Sequence, residues 1–307
     1  MLDRTRPFRS ILLCADRSGE AEVALRKASI LARYLDADIE LFACDSDHAW
    51  AVEHSPDDES ARAELAACLT ESRRYLGALR SSIAASDLRL TTRAACATSF
   101  AAGVAERVAE GGHDLVIKNF ADGVEPQRTA SAAADLALAE VCRVPLMLTR
   151  RRPWRPEPCI WAALDLQRVG IPMGRRVIEV ARDLAAACDG RFGIAYCRPT
   201  AADSPRPLRS VARARAVFKV ETVPLQVLEG DPAAELASAL RSAGVDVLVT
   251  GQAERPGSPS GSASITERLM GLCGCDALIV PAPSRRSAAG SGLALATLGA
   301  DAPDGER

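Results

Sequence analysis

Short apolar runs alternate along this chain with longer stretches whose apolar positions recur at a helical spacing. Five such runs fall in the first half, at 10–15, 38–44, 88–95, 114–119 and 145–150. Each is too short for a helix and predicts a strand. Between them lie helical patterns. One follows Ser18, an N-cap residue type, and repeats through Ala24, Ala28, Leu31 and Leu35. Others are predicted near 58–84, 100–110 (stopped by Gly111-Gly112) and 130–142. The stretch 45–58 reads as a polar loop.

The order then repeats. Strands are predicted at 159–164, 191–197, 219–228, 245–250 and 276–281, with helices near 172–188, 232–243 and 264–272. Both halves open with an apolar strand ending in aspartate, S-I-L-L-C-A-D and C-I-W-A-A-L-D. The intervening R-R-P-W-R-P-E-P at 151–158 holds three prolines, which remove donors and fix the backbone, so it reads as a linker. The expected organisation is domain 1 at 1–150, the linker, domain 2 at 159–285, and a disordered Gly/Ala/Ser/Asp-rich tail at 286–307. Strand–helix alternation implies an α/β fold with parallel sheets, and continuous apolar strands such as V-D-V-L-V imply burial on both faces. Asp16 and Asp165 lie 149 positions apart, whereas Asn119 and Gly251 differ by 132, so the copies have diverged by deletion.

Composition narrows the function. The 307 residues carry a formal charge of −2, which offers nothing to nucleic acid. Ten cysteines sit mostly in apolar segments without disulfide-type spacing, and no signal-like or membrane-spanning run is present, so a soluble, cytoplasmic, reduced protein is expected. Cys273-x-Cys275 lacks a nearby histidine and reads as core, so no metal site is expected. His48, His54 and His113 fit no catalytic triad, and His113 is assigned to a turn. The arginine-rich 206–215 reads as a solvated helix face.

Several segments, in order and in both halves, resemble the universal stress protein family, and specifically its tandem UspE-type members. L-L-C-A-D-R-S (12–18) is similar to the family's opening strand and turn, L-E-G-D-P-A-A-E-L (228–236) to its G-x-P turn, and S-I-T-E-R-L-M-G-L-C-G-C-D-A-L-I-V (264–280) to its closing helix and strand. D-L-A-L-A-E-V-C-R-V-P-L-M-L-T-R-R-R-P-W (135–154) resembles the exit from the first tandem domain. The resemblance implies two flavodoxin-like (Rossmann-like) doubly wound five-stranded sheets of order 3-2-1-4-5, paired through their last strands. It also implies candidate ligand-binding residues: Asp16 and Asp165 near an adenine and ribose, with Ser18 beside the first, Gly230 and Pro232 in the turn after strand three, and Gly251 and Ser264 in the phosphate loop. The alternative for the aspartates is simple capping of the next helix. For Gly230 and Pro232 a turn-forming role comes first.

The phosphate loop departs from the family's G-x-x-G-x(9)-G-[S/T] in both halves. Asn119 and Asp122 replace the first two glycines in one; Glu254 and Ala263 replace the second and third in the other. Glycine N–H groups are what such a loop presents to phosphate, and a carboxylate there repels it. The expectation is therefore a non-catalytic stress-response protein with no cofactor, no tight ATP binding, and a degenerate pocket for a small or lipidic ligand or a protein partner. The alternative is an ATP-binding switch or weak ATPase. A nucleotide enzyme needing an S-G-G-x-D-S-like loop after strand one is excluded by D-R-S-G-E-A.

Overall fold

The computed structural model describes residues 7–16, 21–54, 58–83, 87–120, 130–164, 170–198, 215–216, 218–220, 222–252 and 265–282. The expectations placed on Ser18, Asp165, Ser264, the arginine-rich 206–214, the loop residues Asp122, Glu254 and Ala263, and the tail lie outside the described residues.

In the first half the elements are β1 (Ser10–Cys14), α1 (Ala21–Leu35), β2 (Asp38–Asp45), α2 (Asp47–His54), α3 (Glu59–Ser81), β3 (Leu90–Cys96), α4 (Phe100–Gly111), β4 (Leu115–Asn119), α5 (Ala130–Val141) and β5 (Leu146–Thr149). The second half gives β6 (Cys159–Leu164), α6 (Gly170–Ala187), β7 (Arg191–Arg198), β8 (Leu225–Glu229), α7 (Pro232–Ala243), β9 (Val247–Gly251), α8 (Ile265–Leu272) and β10 (Asp276–Val280).

The strands form one ten-stranded sheet of order β3-β2-β1-β4-β5-β10-β9-β6-β7-β8. Within each half the order is 3-2-1-4-5 and every pairing is parallel. The halves meet at β5 and β10, which pair antiparallel with Met147 opposite Leu278. The last strands are thus the joining edge, as expected, and ten strands fit two five-stranded units.

Side chains alternate across the sheet and build a core on each face. On one face Ile11 and Leu13 of β1, Ile160 and Ala162 of β6, and Met147 and Leu278 at the junction belong to a single apolar cluster with α1, α3 and α6. On the other face two clusters form. Leu12, Val116 and Ile279 pack with α4 and α5, while Ala163, Leu248 and Cys275 pack with α7 and α8. Cys273 and Cys275 are both buried there.

A hydrogen-bond signature also repeats. The Asp114 carboxylate accepts the backbone N–H groups of Arg9 (2.9 Å) and Ser10 (2.9 Å) at the start of β1. Asp246, in the matching position before β9, accepts the N–H of Cys159 at the start of β6 (2.8 Å). Beside Asp114, His113 is buried and lies 2.8 Å from the Ser10 hydroxyl, so its place is a packed, hydrogen-bonded one rather than an open turn. Burial pulls its pKa below the usual histidine value, although the Glu40 carboxylate opposes this.

The segment 151–158 is not a free tether. Trp154 donates its indole N–H to Asp276 at 2.7 Å, and Arg152 and Arg155 lie 3.7 and 3.9 Å from Asp246. Across the junction, Lys27 of α1 donates to Asp276 of β10 at 2.7 Å and to the Arg150 carbonyl at 2.5 Å. Both side chains are buried, so this ion pair fastens the two halves.

Two expected elements are corrected. The polar loop at 45–58 contains α2, which packs on α3. The strand expected at 219–228 begins only at Leu225. Lys219 has φ 54°, a left-handed conformation that closes a turn, and Val223 donates back to the Val220 carbonyl (3.3 Å). Pro224 has no N–H for a ladder, so pairing starts after it. Among the described residues no helix is long and apolar enough to cross a membrane.

Candidate functional site

Open α/β sheets place ligands beyond the carboxyl ends of the strands, where the chain leaves neighbouring strands in opposite directions. In the first half that point lies between β1 and β4, and in the second between β6 and β9.

At the first of these positions three charged side chains of the chain itself meet. Asp16 follows β1 and is partly exposed. Its backbone carbonyl accepts the Tyr75 hydroxyl from α3 at 2.8 Å, and its carboxylate accepts from Lys118 at 3.1 Å. Lys118 comes from β4, all five residues of which are buried. Its ammonium also pairs with Asp135 of α5 at 2.8 Å, donates to the Asn119 carbonyl at 3.1 Å and lies 5.8 Å from the Phe100 ring centre. Lys118 is 4 % exposed and Asp135 fully buried. Burial would lower the Lys118 pKa, but Asp135 and then Asp16 outweigh it, and the pKa is raised. The ammonium therefore stays charged beside two carboxyl groups, while burial pushes the Asp135 carboxyl above the usual carboxylate range even though Lys118 opposes it.

The first amide beyond β4 is already engaged within the sheet. The Phe120 N–H donates to Thr149 of β5 at 2.8 Å, and the Phe120 ring is buried beneath Arg150, whose guanidinium lies 4.7 Å from the ring centre. Below the site, Cys14 ends β1, and burial drives its thiol pKa far above the usual range, so it is no nucleophile.

In the second half the described candidates answer packing demands. Gly230 has φ 130° in the turn after β8, and a Cβ there would stand 3.1 Å from the Glu235 Cγ. Pro232 opens α7 behind the N-cap Asp231, which accepts from Ala234 at 3.0 Å and pairs with Arg268 of α8 at 2.7 Å. Gly251 ends β9, and a Cβ there would meet Cγ and Cε of Met173 at 3.0 Å, so its smallness lets α6 approach. The next amide, Gln252 N–H, donates to Val280 of β10 at 2.9 Å, matching Phe120 in the first half. Gly230 follows β8 and Gly251 ends β9, strands three spacings apart, about 14 Å across the sheet.

A third cluster lies one strand over from Asp16, at the carboxyl end of β2. Asp45 ends the strand, His48 is in the first turn of α2, and Cys68 lies along α3. His48 Nδ1 is 3.1 Å from Asp45 Oδ2, and the Cys68 thiol donates to the same oxygen at 2.9 Å. The His48 backbone N–H donates to Asp45 Oδ1 at 2.9 Å. Burial raises the Asp45 pKa, but the Cys68 thiol and the two His48 donors overcome it, and the net shift is downward. Neither this cluster nor the Lys118 trio was anticipated. The only sequence signals were an Asp-x-x-His at a strand end and a lysine inside an apolar strand.

The chain matches no protein-family model and no curated protein sequence. Its fold is shared with solved structures. A universal stress protein from Archaeoglobus fulgidus DSM 4304 superposes with a TM-score of 0.67 at 12% identity, over 90% of this chain and 97% of that one. A functionally unknown protein from Pseudomonas aeruginosa PAO1 gives 0.62 at 20% identity, over 90% and 93%. A protein of Pseudomonas aeruginosa UCBPP-PA14 provisionally described as a universal stress protein gives 0.61 at 20% identity, over 90% and 94%. The chain thus has the universal stress protein fold across nearly its whole length.

Proposed function

We propose that this chain is a tandem member of the universal stress protein family, with domains at 1–150 and 159–285 joined by the 151–158 linker. In this reading it acts without catalysis, in stress response, through binding of a small or lipidic ligand or a protein. Tight ATP binding is not part of its function. The observation that carries the reading is the Lys118 ammonium held between Asp16 and Asp135. The aspartate that would approach a nucleotide is already paired, and a triphosphate would enter a site whose one cation is already engaged by two carboxyl groups. In the second half, the glycines serve a turn and a helix contact, and Glu254 stands in the loop sequence where a glycine is needed.

Calorimetry with magnesium-ATP tests this directly, and no saturable binding is expected. Micromolar affinity abolished by Asp16→Ala would replace the reading with an ATP-dependent switch. Mass spectrometry of small molecules that co-purify with the native protein would identify the occupant.

A further inference from the structure

The donor chemistry at the end of β2 differs from that of both nucleotide-type crevices. Asp45, His48 and Cys68 each offer one ligand atom, and these oxygen, nitrogen and sulfur atoms all lie within 4.8 Å of one another. We infer that Asp45, His48 and Cys68 form a binding site for a borderline-soft divalent cation of the zinc class. The inference is independent of the family reading above.

Geometry supports it first. A tetrahedral zinc ion holds nitrogen and oxygen at about 2.0–2.2 Å and thiolate sulfur at about 2.3 Å, which sets neighbouring donors roughly 3.3–3.6 Å apart. The two separations to Asp45 are 2.9 and 3.1 Å and the third is within 4.8 Å, so side-chain adjustments on the order of 1 Å bring the three donors to the spacing the ion requires. The short contacts are the ones that protons now hold together. The cation would take the place of both protons: the thiol proton passes to solvent as Cys68 becomes a thiolate, and the Nδ1 proton is exchanged through solvent to Nε2, so that a neutral His48 presents its Nδ1 lone pair.

Charge and donor type point the same way. Thiolate and carboxylate together offset the two positive charges, and His48 contributes a neutral nitrogen. Calcium and magnesium prefer all-oxygen shells, whereas a mixed sulfur, nitrogen and oxygen set suits zinc and its neighbours. The His48 backbone N–H on Asp45 Oδ1 helps fix the carboxylate, whose two oxygens lie 3.2 and 3.1 Å from His48 Nδ1 and whose Oδ2 also meets the Cys68 thiol.

Position matters too. The donors come from three successive elements, β2, α2 and α3. A bound cation would tie α2 to both its neighbours. His48 is 39 % exposed and Asp45 16 %, so solvent reaches the cluster and water can supply a fourth ligand. Three protein ligands with an open fourth position is the pattern of reactive rather than closed structural zinc sites.

The test uses reduced, metal-free full-length protein. Titration with Zn²⁺ against a chromophoric chelator is expected to show one saturable equivalent. Co²⁺ in its place is expected to give a thiolate-to-metal charge-transfer band and intense tetrahedral d–d bands. Cys68→Ser and His48→Gln should each weaken binding more than tenfold, and Cys68→Ser should remove the charge-transfer band. A Cys273→Ser/Cys275→Ser double variant should change neither. Alkylation of the unmutated protein, mapped by mass spectrometry, reads the site without any variant: Zn²⁺ should protect Cys68 while leaving the exposed Cys96 reactive. Absence of saturable binding, a charge-transfer band that survives Cys68→Ser, or Cys68 alkylation indifferent to Zn²⁺ would overturn the inference.

Discussion

Lys118 stands on a strand that water does not reach, and its charge has to be answered locally. Asp135 and Asp16 answer it, at a cost in desolvation that the ion pairs offset only while all three groups are present. Lys118→Met should therefore destabilise by about 3–5 kcal/mol in urea titrations, because it strands the fully buried Asp135. Adding Asp135→Leu should restore most of that loss; a double variant as weak as the single one would show that the trio is not a coupled unit. None of this was legible beforehand. A lysine in D-L-V-I-K-N reads as one residue of an apolar strand, and Asp135 lies in an alanine-rich helix with no pattern linking the two. Asp16 was legible because a strand-terminal aspartate announces its own place at the carboxyl edge. What it binds there could not be read, since the partner arrives through tertiary packing.

At the scale of elements, local chemistry decided which boundaries could be read. Helix α7 matched its expected bounds of 232–243 because Asp231 caps it, Pro232 presets its first turn and Gly244, at φ 62°, stops it. Gly230→Ala should cost about 1–3 kcal/mol, since the residue holds a φ that L side chains rarely adopt, and Asp231→Ala about 1 kcal/mol. Chemical denaturation measures both. A Gly230→Ala protein of unchanged stability but altered ligand binding would return that glycine to the binding surface. Helix α2 went unread for the opposite reason. Eight residues of D-H-A-W-A-V-E-H cannot hold a helix alone, and tertiary contact with α3 supplies what propensity does not. Strand β8 was read too long because the K-V-E-T-V preceding Pro224 has strand-like residues but turns at Lys219.

The whole molecule depends on β5, β10 and the Lys27–Asp276 pair. The duplication was legible in the repeated strand–helix order, whereas the sheet order and the joining edge were expected only through the resemblance to the universal stress protein family; in the structure all of β5 and β10 is buried at that edge. The buried bridge from α1 was not, since Lys27 follows a helical pattern that gives no hint of a residue 249 positions away. If the halves form one unit, backbone amides of Leu146–Leu148 and Ala277–Ile279 should exchange hydrogen as slowly as those of β1 and β6. Markedly faster exchange at β5 and β10, or separate tumbling of the halves in relaxation measurements, would show two loosely tethered bodies. The antiparallel β5–β10 junction has one more consequence. Two separate chains meeting through this edge would associate only as their concentration allowed, and each would have to present a patch complementary to its own copy. A covalent link replaces bulk concentration with a fixed effective molarity. It also frees each side from self-matching. The assembly can therefore persist at vanishing abundance, and one half can drift toward a new task while the other keeps the joint intact.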